Sequence, residues 1–466
     1  MAPDTTIGRP YDPKTADLIS FNRAIPGFRE GSDTPRAFLE RCLERIDSHE
    51  PEVKAFVTLN VEAARAAADS ASKRYSDGRP FSYVDGMPIA IKDVFYTEDM
   101  PTQFGSPIFD GWESGWDGAV VFWLRKGGAA ILGKTVTTEF AFGRPGPTRN
   151  PWDMERTPGG SSTGTAAAVA AQMTPVGTGS QVRGSVLRPA AYCGTYAIKP
   201  SYGAINTLGA FPSAPSLCHV GILAGSLSDT WMTAHYISHS AGGDPGHLGL
   251  GGTLELPTEH KPWRLIRLDT AGWDETPTET REVFETYLEG LKAQGVSIIS
   301  RMDDPEVEAL EQELAQQTPY LMDILTWEGR YPLAVYADRH PELLGPYVSA
   351  RVEASRTMTP ADYGRALSWC RALRERYDSL RGKADSFITL NATGAAPVGM
   401  AVGNPLFGDV SSVLGAPAFN LPLLAVDSMP LGLQLMGFYR TDFELAAIAH
   451  WLVHVTIGRA AEREKR

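Results

Sequence analysis

Gly159-Gly160-Ser161-Ser162-Thr163-Gly164, followed by Gly179-Ser180-Gln181-Val182-Arg183-Gly184-Ser185, places Ser185 24 residues after Ser161. Lys92 stands 69 residues before Ser161, at the end of Ile89-Ala90-Ile91-Lys92. A serine hydroxyl is a weak nucleophile until a base removes its proton. A buried lysine can do so, because desolvation disfavours its charged form and lowers its pKa. A second serine can carry the proton between them. Glycines bring backbone N–H groups close to a developing oxyanion.

Outward from these segments the chain alternates strand and helix patterns. Met87-Pro88-Ile89-Ala90-Ile91 reads as a short buried strand, with Lys92 at its end, where functional groups emerge from α/β sheets. Residues 129–132, 263–268, 296–299, 386–390 and 431–435 also read as strands. A helix starts at Thr34-Pro35, with threonine capping and proline in the first turn. Further helices are expected over 61–75, 118–126, 162–173, 277–294 and 359–381. Thr441-x-x-Glu444 reads as a capping box opening a last one. The expected fold is α/β: one large, mixed, mostly parallel twisted sheet with helices on both faces. Residues 1–32 read as a polar, turn-rich N-terminal extension and 33–466 as one domain. The Gly- and Pro-rich stretch 241–262 reads as a surface insertion over one sheet edge.

The 466 residues are 43% hydrophobic, enough for a large core, and carry a net charge of −12. That charge argues against a general nucleic-acid or anionic-membrane surface, and no apolar run is long enough to span a bilayer. Cys42, Cys193, Cys218 and Cys370 are far apart with no CxxC pair, so neither a metal site nor a disulfide framework is expected. Met1-Ala2-Pro3-Asp4-Thr5 shows no basic stretch leading into an apolar run, so a cytoplasmic protein without a secretory leader is expected.

In these segments the chain resembles the amidase signature family of serine hydrolases. The likeness runs through Gly86-Met87-Pro88-Ile89-Ala90-Ile91-Lys92-Asp93, Thr157-Pro158-Gly159-Gly160-Ser161-Ser162, Gly184-Ser185-Val186-Leu187-Arg188-Pro189-Ala190-Ala191-Tyr192-Cys193-Gly194 and Lys199-Pro200-Ser201-Tyr202-Gly203. Pro430-Leu431-Gly432-Leu433-Gln434-Leu435 also fits, and the likeness covers roughly residues 33 to 455. The resemblance implies Ser185 as nucleophile, Ser161 on a cis peptide as proton relay, and neutral Lys92 as the ultimate base. It implies an oxyanion hole from the N–H groups of Val182, Arg183, Gly184 and Ser185. Ser162 would support the network by hydrogen bonding, beside Gly160. No cofactor or metal is implied, and a homodimer is possible by analogy.

Many members read Asp-x-Gly-Gly-Ser-x-Arg around the nucleophile. Here Gln181 replaces the acid and the arginine falls one residue later, at Arg188. A neutral glutamine network is therefore expected in place of a buried Asp–Arg pair. Arg183 stands where glycine is common. Either the backbone there has positive φ and is strained, or the side chain lines the pocket mouth and meets a substrate oxygen.

Three other patterns are set aside. Gly160-x-Ser162-x-Gly164 lacks the apolar strand that a nucleophile elbow needs just before it. Gly128-x4-Gly133-Lys134-Thr135 has its apolar residues inside the supposed phosphate loop. His450 and His454 share a helix face, but the glutamate of HExxH is missing. The nine histidines receive no catalytic role.

The expected activity is metal-independent hydrolysis of a carboxylic amide through an acyl-enzyme on Ser185. If Phe95, Tyr96, Phe104, Phe140 and Phe142 line the pocket, an apolar or aryl substrate fits. Carbamate or urea-type hydrolysis with the same three residues is one alternative. A glutamine-dependent amidotransferase component, working beside partner proteins, is another.

Overall fold

The computed structural model describes residues 7–458. Among these residues eleven strands form one mixed sheet: β1 (Phe56–Leu59), β2 (Pro88–Lys92), β3 (Ala130–Thr135), β4 (Val176–Gln181), β5 (Tyr196–Lys199), β6 (His219–Ala224), β7 (Arg264–Arg267), β8 (Ser297–Ile299), β9 (Ser386–Leu390), β10 (Ala418–Val426) and β11 (Met429–Met436). Their order is β1-β3-β2-β4-β6-β5-β10-β11-β9-β7-β8.

The large mixed sheet is as expected, but its parallel majority is not. Among the described residues only the pairs β2/β3, β2/β4, β7/β8 and β7/β9 are parallel. From β4 through β6, β5, β10 and β11 to β9 every step is antiparallel. One cause is local: β10 and β11 are joined by Asp427-Ser428, both with positive φ (52° and 59°), as a tight hairpin requires.

Both sheet faces are buried. Successive strand residues alternate between two apolar clusters: Ile198, Ile222, Leu265 and Ile388 enter one, while Ala197, Leu223, Ile266 and Phe387 enter the other. Strands buried on both faces lose the apolar–polar alternation and read as continuous apolar runs.

β4 is packed more tightly still. The helix Thr163–Ala170 is made of small residues, all buried, and lies against it. A Cβ on Gly177 would come 2.5 Å from Thr165 Cγ2, and one on Gly179 2.9 Å from Ser162 Oγ. Small side chains on both elements therefore set how closely the Ser161–Ser162 segment approaches the end of β4.

Of the two caps expected from the sequence, the one at Thr34 forms and the one at Thr441 does not. Thr34 accepts from Ala37 N–H (3.0 Å), and Thr359 and Asp362 form a reciprocal capping box. Thr441 does not cap the helix Asp442–Val453. Its hydroxyl donates to Phe438 O (2.9 Å), while the Asp442 carboxylate accepts from Ser201 N–H and Oγ–H.

The N-terminal segment is more structured than its composition implies. The helix Phe21–Glu30 buries Phe21, Ile25 and Phe28 in the core, and Asp229 accepts from the N–H groups of Phe21 and Asn22. Residues 1–6 of the expected extension lie outside the described residues. Residues 243–262 carry no helix or strand. They are held by Trp231 Nε1 donating to Thr253 O, His260 N–H donating to Ala447 O, and a His454–Glu259 contact.

Candidate active site

β2 and β4 are parallel neighbours, with Ile89 beside Val176 and Ala90 beside Gly177. Their C-terminal ends therefore bring Lys92 and Ser180 together. Lys92 Nζ lies 2.7 Å from Ser161 Oγ, 3.0 Å from Ser180 Oγ and 3.3 Å from Ser180 O. These are three oxygens and no carboxylate. Lys92 is fully buried, and burial pushes its ammonium down to about 7, opposed weakly by the nearby Cys218 thiol. The adjacent acid, Asp93, is committed elsewhere: it forms a buried ion pair with Lys134 (2.9 Å). That contact also explains Lys134, which lies within β3 and not in a phosphate loop.

Ser161 and Ser185 line one cavity of about 160 Å³, and the Gly160–Ser161 peptide is cis. The two serine segments are tied by Ser162 N–H donating to Ser185 O (3.2 Å). Ser162 does not support the site through its hydroxyl, as the resemblance implied. That oxygen is buried without a hydrogen-bond partner among the described residues and packs against Gly179, so the contribution of Ser162 comes from its backbone. Gly160 O accepts from Arg188 Nη2 (2.7 Å), and a Cβ on Gly160 would come 2.7 Å from Val402 Cγ1.

The loop from Val182 to Ser185 is shaped by Gln181. Its Oε1 accepts from the N–H groups of Val186 (2.9 Å) and Leu187 (3.0 Å), and its Nε2 donates to Ser412 Oγ (3.1 Å). This is the expected neutral glutamine network. Gly184 has φ 71°, the left-handed conformation that glycine accommodates. Arg183 does not have positive φ, so of the two alternatives for that residue the strained backbone does not apply. Among the described residues, the N–H groups of Arg183, Gly184 and Ser185 have no protein acceptor. Val182 lines the same cavity.

Sequence reasoning missed Ser180, Asp409 and the bracing role of Arg188. Arg188 is buried and donates to both Gly160 O and Arg183 O (3.2 Å), linking the two loops. Asp409, on the helix Leu406–Val413, holds Arg183 (Nη2 to Oδ2 2.7 Å), so an Asp–Arg pair exists here with its acid drawn from a distant segment.

Of the five aromatic residues considered for the pocket, only Phe142 lines the cavity. Phe95, Phe104 and Phe140 are core residues, and Tyr96 packs edge-on against Trp112 and Trp116. The cavity wall also includes Thr138, Ala141, Ser213, Leu325, Val402, Gly403 and Pro405, with Arg183 and Arg188 as its charged members. A larger cavity, about 810 Å³, lies against the helix Pro360–Ser379 and contains none of Lys92, Ser161 and Ser185.

This chain is similar to a component of the glutamyl-tRNA(Gln) amidotransferase of Chloroflexus aggregans, with 32% identity across 90% of this chain and 92% of that protein. A solved structure described as an amidase superposes with TM-score 0.80 at 27% identity, covering 94% of this chain and all of the other. The peptide amidase of Stenotrophomonas maltophilia shares the fold, with TM-score 0.78 at 23% identity over 94% of this chain and 96% of its own. The family model described as Amidase matches residues 37–446, and with it the chain belongs to the amidase family, the signature group that its serine and lysine segments resemble.

Proposed function

We propose that this chain is a serine amidohydrolase that cleaves a carboxylic amide through an acyl-enzyme on Ser185. The observation that carries this reading is Lys92: buried, without a carboxylate contact among the described residues, and 2.7 Å from a serine that shares its cavity with Ser185. With its pKa near 7, Lys92 is substantially neutral at physiological pH and offers a lone pair to the Ser161 proton.

Ser185 Oγ attacks the carbonyl carbon. Its proton moves to Ser161 Oγ as the proton of Ser161 moves to Lys92 Nζ. The negative charge that forms on the carbonyl oxygen is met by the free N–H groups of the 183–185 loop, each worth about 3–4 kcal/mol to such a transition state. Collapse breaks the C–N bond, and the proton returns through Ser161 to the departing nitrogen. Water then attacks the acyl-enzyme by the same relay in reverse, releasing the acid and restoring Ser185. A carbamate presents the same carbonyl, made less electrophilic by resonance, and is the nearest alternative substrate.

The test is a paired panel of 4-nitroanilide amides and 4-nitrophenyl carbamates with wild type and Ser185→Ala. Turnover by wild type alone supports the reading, and the preferred series separates amide from carbamate. Equal turnover by both proteins removes Ser185 from the mechanism.

A second reading is favoured by the naming of the similar Chloroflexus protein: an amidotransferase component that works with partner proteins. It predicts that the isolated chain is silent on the whole panel and gains glutaminase activity only in a complex.

A further inference from the structure

We infer that the free edge of the Arg183 guanidinium is the substrate-recognition element of this site, and that it takes a carboxylate carried by the substrate. The inference rests on the hydrolase reading for the reaction, and on the following geometry for the ligand.

Arg183 lines two cavities that share Phe142, Val402, Gly403 and Pro405: the inner one of about 160 Å³ with Ser161 and Ser185, and an outer one of about 630 Å³. It stands at their junction. A guanidinium carries five N–H donors in a planar fork. Asp409 occupies one side of that fork, accepting from Nε (3.1 and 3.3 Å) and Nη2 (2.7 Å). Asp409 is itself completely buried, so it fixes the plane of the guanidinium from behind. The side chain of Arg183 keeps 21% of its surface exposed.

With the Nε side engaged, the end formed by Nη1 and Nη2 remains. Its only further contact among the described residues is Nη1 to Met322 Sδ (3.2 Å), a thioether that is a weak acceptor. A planar group with two oxygens matches that end, and bidentate pairing of this kind is the strong form of arginine recognition.

The other charged groups nearby do not compete. Arg188 has both terminal nitrogens on backbone carbonyls, those of Gly160 and Arg183. Glu275 lines only the outer cavity, where Asn404 Nδ2 donates to it. An anion is therefore disfavoured at the outer rim and favoured at the junction.

A monoamide of a short dicarboxylic acid, or an amide whose amine carries a carboxylate, presents the anion that this end of the guanidinium would take.

The experiment compares carboxylate substrates with uncharged isosteres. The acyl pair is the 4-nitroanilides of succinic acid and 4-methylpentanoic acid. The amine pair is the butyryl amides of 4-aminobenzoate and 4-methylaniline. Wild type is expected to favour the carboxylate member of one pair by at least tenfold in kcat/KM, chiefly through KM. Arg183→Met should abolish the preference, Arg183→Lys retain part of it, and Asp409→Asn weaken it by letting the guanidinium turn.

No preference in wild type, or an undiminished one in Arg183→Met, overturns the inference. Absence of turnover on every member counts against the hydrolase reading instead. Calorimetric binding of the same carboxylates to Ser185→Ala, and to Ser185→Ala with Arg183→Met, then decides the recognition role independently. Equal affinities overturn it, and loss of binding without Arg183 upholds it. Matching thermal melts establish that the variants are folded.

Discussion

Lys92 Nζ lies 2.7 Å from Ser161 Oγ at the closed end of the site, and the oxygens it touches are all neutral. A lysine in such surroundings gains nothing from a counter-charge, so desolvation dominates and the amine is favoured. In the proposed reaction that distance would make Ser161 the proton's way in and out, and that burial would make Lys92 the base.

The first expected outcome is an acid limb in kcat/KM. Protonated Lys92 has no lone pair for Ser161, so activity should rise with pH through about 7, the value to which burial lowers Lys92. The pH profile of the free enzyme reports this group. Lys92→Met should lose at least 10³-fold in kcat, and its residual rate should rise with hydroxide instead of levelling above pH 8. A wild-type rate constant between pH 5 and 9 would exclude Lys92 as the base.

The same burial carries a stability cost. Lys92 titrates near 7 when folded and near 10.4 when unfolded, so the unfolded state binds more protons between those values. The contribution of Lys92 to stability is most favourable above about pH 10 and is lost as pH falls to about 7. At ~1.4 kcal/mol per pKa unit this is at most about 5 kcal/mol. Lys92→Met removes that penalty but leaves the hydroxyls of Ser161 and Ser180 without their amine. The variant should be inactive yet more stable than wild type at pH 7, with the advantage shrinking towards pH 10. Urea melts at pH 6, 8 and 10 measure this directly.

Arg188 joins the two halves of the site through a single guanidinium, from Gly160 O to Arg183 O. Arg188→Leu leaves two carbonyls without that donor, one of them on the Ser161 segment. A buried acceptor left unpaired costs about 1–3 kcal/mol, so a loss of about 2–5 kcal/mol is expected with a fall in kcat. Arg188→Lys should recover little, because one ammonium lacks the span of the planar fork. Full activity in Arg188→Lys would show that the two contacts act separately.

The parts of this molecule legible in the sequence are those with local causes. The strand ending at Lys92, the cap at Thr34 and the helix opening at Thr359-Pro360 follow from neighbouring residues. β4 was illegible because Val176-Gly177-Thr178-Gly179-Ser180 has neither alternation nor bulk. Its glycines answer to Thr165, Ser162 and Leu223 across the packed interface, which no local pattern encodes. Missing β4 also meant missing Ser180 as a neighbour of Lys92. Thr441 failed as a cap because its hydroxyl turns back to donate to Phe438 O. Asp409 was invisible because it stands 226 residues from Arg183.

Gln181 gives the last prediction, since it stands where relatives of the resembled pattern carry an acid. Its Oε1 accepts two N–H groups, which a carboxylate would accept equally well. Its Nε2 faces Gly408 O (3.4 Å) and Ser412 Oγ (3.1 Å), and there the second oxygen of Gln181→Glu would confront a carbonyl. The introduced carboxyl therefore favours its protonated form when folded, with a pKa above the unfolded value near 4.3. The folded state then binds more protons than the unfolded one, so stability falls as pH rises above about 4. At pH 8 the variant should be about 2–4 kcal/mol less stable than wild type, and the two should converge below pH 5. Denaturation of wild type and variant across pH 4.5–8 checks this, and a constant offset would mean that the Gly408 carbonyl moves aside to accept the charge.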